Sequence, residues 1–286
     1  MAEYQLLYQT SFYMAATIIC VAAIVFVVID GGMDRRQTRI YLLMLFDVLL
    51  SSVGGIIYKL SKPYAVGKPG LSAFMLTFQF LDFLAHTALA PLFYIYVQNV
   101  IGATYRRTLK RRLTYLIPFF ICGLMVVLNP IMGWIYYFDE NYNFYRNWGE
   151  SITYLVAALY FALSVFDILV YWHAVNKRRR QGLLYCFLIT LFGILIQLLV
   201  IDLSVELVAE SMGLMLLMLV VEREEDRIDQ ATRTYNRGAF RSDINNYFRI
   251  GREFHIVYIR ILNDDIVKRL TGSFDDDNLF REIVKY

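Results

Sequence analysis

The sequence predicts an α-helical polytopic membrane bundle of seven spans, N-terminus out and C-terminus in, followed by an incomplete soluble α/β segment. Three observations predict it. Of 286 residues, 58% are hydrophobic and 19% charged, and the apolar excess sits before Glu222, too apolar for an ordinary soluble domain. Seven segments of that part each approach the roughly 20 apolar residues that a hydrocarbon core requires. Lys and Arg collect in alternate loops between them, as expected where those loops share the cytoplasmic face.

The segments are residues 10–29, 40–58, 72–98, 113–128, 152–173, 183–201 and 205–221. The first begins without a basic region and ends at Asp30, the pattern of a retained span and not of a cleaved signal. The fourth and seventh are short and fit if nearly perpendicular to the membrane. Asp202, Leu203 and Ser204 alone separate the sixth from the seventh, which predicts a tight helical hairpin. One helix through both would overshoot any bilayer. Arg35, Arg36 and Arg39 follow the first span, Arg106, Arg107, Lys110, Arg111 and Arg112 the third, and Lys177, Arg178, Arg179 and Arg180 the fifth. Against these twelve, Lys59, Lys62 and Lys68 dissent in a loop of the other face. The majority puts the chain in the cell membrane with its C-terminal segment in the cytoplasm.

Cys20, Cys122 and Cys186 all fall inside spans, which excludes an extracellular disulfide framework. The net charge of +3 arises from the loop clusters, so no nucleic-acid surface is expected. Polar side chains inside hydrocarbon are costly and therefore informative. They are Asp47 in the second span, Asp82 and His86 in the third, Asp167 in the fifth, Gln197 in the sixth, and Glu206 and Glu210 in the seventh. Asp82 and His86 are four apart on one helical face, as are Glu206 and Glu210. Two readings stay open for this set: hydrogen bonds that hold the helices together, or a site that senses a small ligand or a proton. No third nitrogen or sulfur ligand is placed beside Asp82 and His86, so no metal is assigned. Neither repeat symmetry nor a pair of broken helices marks a transporter. The loop 129–150 carries Trp134, Tyr136, Tyr137, Phe138, Tyr142, Phe144, Tyr145 and Trp148. It reads as an interfacial aromatic belt, as a lid over an outer pocket, or as both.

The joint after the seventh span has no helix breaker, since Val221 runs straight into Glu222, Arg223, Glu224, Glu225, Asp226, Arg227 and Ile228. Residues 222–228 read as a signalling-helix linker between a transmembrane sensory domain, 1–221, and a soluble segment, 229–286. In that segment Phe240, Ile244 and Phe248 recur every four residues, predicting an amphipathic helix over 237–250 closed by Gly251. Residues 254–262 are β-branched and aromatic, predicting a buried central strand, and 266–270 and 278–284 read as helical. One strand with short helices cannot bury both faces of a sheet, so the segment reads as the front of a larger domain.

The stretch DQATRTYNRGAF resembles the opening motif of GGDEF domains, Asp-x-Leu-Thr-Gly-Leu-x-Asn-Arg-x-x-Phe. Asp229, Thr232, Asn236, Arg237 and Phe240 match, while Ala231, Arg233 and Thr234 depart. The membrane half is similar to the seven-helix sensory regions attached to such domains in Gram-positive bacteria. Leu128, Asn129, Pro130, Gly133, Phe138, Asp139, Tyr145, Arg146, Ala209, Glu210 and Ser211 carry that likeness. The resemblance implies a diguanylate cyclase-like domain of the cyclic di-GMP network. It also implies which residues should be catalytic. The family's first strand ends in Asp-x-Asp-x-Phe, and here Arg260 falls at the metal-binding Asp and Leu262 at the second acid. The pair that contacts the guanine nucleotide falls on Lys268 and Arg269, while Gly272 and Asp277 match later positions. An arginine repels Mg²⁺, and phosphoryl transfer depends on that metal. The Gly-Gly-Asp/Glu-Glu-Phe loop does not occur up to Tyr286. The resemblance therefore implies no catalytic residue and no cofactor here, Mg²⁺ and GTP being expected with an intact domain alone.

The reading is a membrane sensor whose output segment is catalytically silent. Its expected partners are the lipid bilayer, an unknown small ligand, and a second copy of the chain through the exit helix. The alternative is the front of an active diguanylate cyclase or of a GGDEF–EAL phosphodiesterase.

Overall fold

The computed structural model describes residues 2–30, 36–102, 109–173, 175–200, 204–222, 234–251 and 253–258. The chain divides into two units, Met1–Trp172 with Lys177–Glu222, and His173–Asn176 with Arg223–Tyr286. The long helices of the first unit are α1 (Ala2–Asp30), α2 (Arg36–Ala65), α3 (Pro69–Ile101), α4 (Leu109–Met132), α5 (Trp148–Val170) and α6 (Lys177–Leu199). Each of these six holds a stretch long and apolar enough to cross a membrane, which supports a multi-pass helical membrane protein.

The helices overrun the expected spans. α2 continues through Lys59, Lys62 and Pro63 to Ala65, and α6 begins at Lys177, so basic residues expected in loops stand on helix ends. Hydropathy marks the part of a helix that tolerates hydrocarbon, whereas the hydrogen-bonded backbone continues until something breaks it. Pro69 opens α3 where its missing N–H costs nothing, and Gly102 closes it at φ 80°, a left-handed turn suited to glycine.

The last apolar segment forms α7 (Val205–Leu217), 13 residues long, and widens into a π-helical turn over Met218–Glu222. α6 and α7 pack closely through small residues. A Cβ on Gly213 would meet Cys186 Sγ at 3.1 Å, and one on Gly193 would collide with Ala209. At the π-helical turn Val220 lies against Gly182, where a Cβ would come within 2.8 Å of Cγ1.

The segment 129–150 is more ordered than the expected loop. Its first residues complete α4, and the rest is an antiparallel hairpin of β1 (Tyr136–Phe138) and β2 (Phe144–Arg146), with Tyr137 opposite Tyr145. Asn129 holds it in place. Its Oδ1 accepts the Ile135 and Tyr136 N–H groups at 2.6 and 3.3 Å, and its Nδ2 donates to the Tyr136 carbonyl at 3.1 Å. Asn147 then caps α5, accepting the Trp148 N–H at 2.8 Å, while its Nδ2 reaches the Gly133 carbonyl. Strand alternation divides the aromatic residues between two faces. Tyr136, Phe138 and Phe144 pack inward against Phe83 and Tyr58, while Tyr137 and Tyr145 stack on the exposed side.

In the second unit α8 (Arg237–Ile250) has the expected bounds. Asn236 caps it, accepting the Ala239 N–H at 2.9 Å, and Gly251 ends it at φ 62°. The expected strand over 254–262 is not seen in its described part. Residues 253–258 are in no strand, and Val257 and Tyr258 are each 83% exposed. A β-branched run becomes a strand only where a neighbour accepts its hydrogen bonds, and the described residues of this unit include no such neighbour. Residues 223–233 and 259–286, with Asp229, Thr232, Arg260, Leu262, Lys268 and Arg269 and most of the linker 222–228, lie outside the described residues.

Candidate ligand-binding site beneath the hairpin

The hairpin roofs a cavity of about 660 Å³ at one end of the bundle. Helices α1, α2, α3, α5, α6 and α7 and strand β2 contribute to its lining. α1 supplies Tyr13, the end of α2 supplies Tyr58, Lys59 and Lys62, and the first half of α3 supplies Gln79, Asp82, Phe83 and His86. β2 brings Arg146, the start of α5 brings Glu150 and Tyr154, and the α6–α7 junction brings Gln197, Ser204 and Glu206. Tyr58 donates its hydroxyl to the Tyr142 carbonyl at 3.0 Å, tying the roof to α2.

The polar groups inside are arranged in pairs. His86 Nε2 lies 3.3 Å from Glu206 Oε1. Gln197 holds Glu206 twice, its Nε2 donating to Oε2 at 2.8 Å and its Oε1 accepting the backbone N–H at 3.1 Å. Gln79 donates to Asp82 at 3.1 Å, and Ser204 donates to the Tyr13 hydroxyl at 2.9 Å. Arg146 at the end of β2 and Glu150 in the first turn of α5 form an ion pair of 3.4 Å. A second, smaller cavity of about 70 Å³ continues from His86 and Glu206 to Glu210. At the roof, burial pushes the Tyr136 hydroxyl up to about 12, so it stays a neutral phenol. In the hairpin turn Asp139 accepts the Asn143 side-chain N–H at 2.7 Å and the Asn143 and Asn141 backbone N–H groups. These bonds, Asn143 foremost, hold its carboxyl below the usual range.

Of the polar residues predicted from sequence, Asp82, His86 and Glu206 line the larger cavity and Glu210 the smaller one. Asp47 is buried beside them, close enough to interact electrostatically with His86 and Asp82. Asp167 is elsewhere. It sits 17 positions after Glu150 on α5, about 25 Å along the helix, and accepts from Gln98 at 3.5 Å. That contact joins α3 to α5. Lys59, Lys62, Arg146, Glu150 and Tyr154 are site residues that the sequence reading did not assign. In the second unit, Asn236 has a capping role, while Phe240 is 53% exposed and Arg237 begins α8.

Comparison of the chain with protein-family models, curated proteins and solved structures finds no match. The cavity lining combines acidic, basic and aromatic side chains. That combination suits a small polar ligand held by several helices at once.

Proposed function

We propose that this chain is a membrane-bound sensor that takes a small ligand in the roofed cavity and passes its occupancy along α7. The receiving segment is then a cytoplasmic, catalytically silent part of the cyclic di-GMP network. The observation that carries the reading is the position of Glu206. It lies in the cavity wall, and it belongs to the helix that leads to the charged joint at Glu222. A ligand that displaces His86 or Gln197 from Glu206 acts directly on α7.

The seven-span, N-out arrangement belongs to the same proposal. From Val205 to Glu222 the helical segment rises about 27 Å, close to a hydrocarbon core. With the basic clusters inside, the hairpin and its cavity face outward. The cyclic di-GMP assignment and the silence of the output rest on the resemblance at Asp229, Asn236 and Arg237 and on Arg260 at the metal position.

The test uses a thiol in place of the unknown ligand. Lys62→Cys is labelled from outside intact cells with a bulky maleimide, and protease sensitivity of residues 234–251 is compared before and after. The expected result is a change in cleavage that a Gly-Gly insertion at Arg227 abolishes. Unchanged cleavage, with labelling complete, overturns the sensor reading. Turnover of GTP by the purified chain overturns the silent output.

A further inference from the structure

We infer that His86, Glu206 and Glu210 form a binding site for a divalent first-row transition-metal ion, one ion bridging α3 and α7. This deepens the sensor reading and rests on it for the ion's role as ligand.

One imidazole nitrogen and two carboxylate oxygens converge here, all within 4.8 Å of one another. Zinc bound to nitrogen and oxygen at about 2.0–2.2 Å places its ligand atoms roughly 3.4 Å apart. His86 Nε2 and Glu206 Oε1 already have that separation, at 3.3 Å. Glu210, one turn along α7 on the same face, is the ligand that must draw in. A second observation points to a cation-binding role. Glu210 is 4% exposed, and its Oε2 is buried with no hydrogen-bond partner. Such an oxygen is costly to bury unless a positive charge or a proton meets it.

The surroundings are those of a metal site. Gln197 Nε2 donates to the Glu206 carboxylate while Gln197 Oε1 accepts the Glu206 backbone N–H, orienting the carboxylate as an outer partner does around a bound ion. Asp47, Asp82 and Glu206 all act electrostatically on Glu210, and Asp47 Oδ2 also lacks a hydrogen bond. The basic residues that line the two cavities are Lys59, Lys62, His86 and Arg146, and Arg146 is paired with Glu150. Lys59 stands 12 residues beyond Asp47 on α2, about 18 Å along the helix. His86 interacts electrostatically with five carboxylates, Asp47, Asp82, Glu150, Glu206 and Glu210, of which Glu150 is paired with Arg146. The larger cavity reaches His86 and Glu206, giving an entry path and an open position for water. An imidazole ligand selects zinc-like ions over Mg²⁺ and Ca²⁺, which prefer six or more oxygens. An organic ammonium is the competing occupant.

The experiment uses the full chain, purified without a histidine tag and stripped with chelator. Zn²⁺ is titrated by calorimetry, and Co²⁺ is bound for its visible spectrum. One ion per chain is expected, with Co²⁺ bands that report nitrogen and oxygen ligation. His86→Ala and the near-isosteric Glu210→Gln should each weaken Zn²⁺ by at least about tenfold. His173→Ala and His255→Ala, which change the other two histidines of the chain, should leave it unchanged. Millimolar Mg²⁺ or Ca²⁺ should not compete. Zn²⁺ affinity unaltered by both site variants, or no stoichiometric binding, overturns the proposal. So does ethanolamine that displaces Zn²⁺ and still binds His86→Ala, which assigns the carboxylates to an amine. Should His86→Ala not fold, Glu210→Gln and the parent's Co²⁺ spectrum decide. Failure of metal binding with the maleimide response intact removes the metal alone. Metal binding without that response removes the sensor reading alone.

Discussion

His86 on α3 and Glu206 on α7 meet in the cavity wall, with Nε2 3.3 Å from Oε1. A contact of this kind is measured by a double-mutant cycle. His86→Ala, Glu206→Gln and the double variant should give a coupling of about 1 kcal/mol in thermal stability. The value is held to the low end because the His86 side chain remains 35% exposed. Additive losses would show that the two residues act independently.

Asn129 ties the roof to α4 through three hydrogen bonds with Ile135 and Tyr136. Asn129→Ala leaves two backbone N–H groups and one carbonyl to find other partners, at about 1–3 kcal/mol for each that fails. Hydrogen exchange at the Ile135 and Tyr136 amides should rise at least tenfold, with exchange in α2 and α3 unchanged. Uniform destabilisation of the whole bundle would contradict a local role.

Part of this arrangement is legible in the sequence, and the rest is hidden for definite reasons. Asp82 with His86, and Glu206 with Glu210, are visible because a four-residue spacing puts each pair on one face. That the two faces meet is a matter of tertiary packing, which no periodicity encodes. Lys59 and Lys62, expected in a loop, stand on the last turns of α2 and line the cavity. Arg146 and Glu150 are brought together by the end of the hairpin and the first turn of α5, which the sequence pattern does not show. Gly251 marks the end of α8 correctly, since capping is local chemistry. Residues 254–258 mislead because a strand is defined by its neighbour as much as by its own side chains.

Asp139 makes the hairpin turn sensitive to acid. Its folded carboxyl lies below the unfolded value near 3.8, so the unfolded turn binds the proton more readily. The stabilisation is therefore fully present above about pH 4 and is lost as pH falls through the lower, folded value. Trp134 and Trp148, with ring centres 6.3 Å apart, flank the hairpin and report on it. In a Trp172→Phe background their fluorescence should be flat from pH 7 to 5 and change below about pH 4. Asp139→Asn should remove that acid step. A step near pH 6 would point to a different group.

Gly193 links packing to the site. A side chain there would collide with Ala209 Cβ and lie 3.6 Å from Glu206 Cα. Gly193→Val should therefore force α6 and α7 apart, at about 1–3 kcal/mol of stability. The shift would also move Glu206 away from Gln197, whose two hydrogen bonds depend on the present spacing. Adding Ala209→Gly removes the methyl group in the way and should recover most of the melting temperature. Maleimide labelling of a cysteine at Lys62 should be faster in Gly193→Val than in the parent, because the cavity wall has loosened, and should return to the parental rate in the double variant. If Ala209→Gly restored neither property, the close approach of the two helices would not be what Gly193 provides.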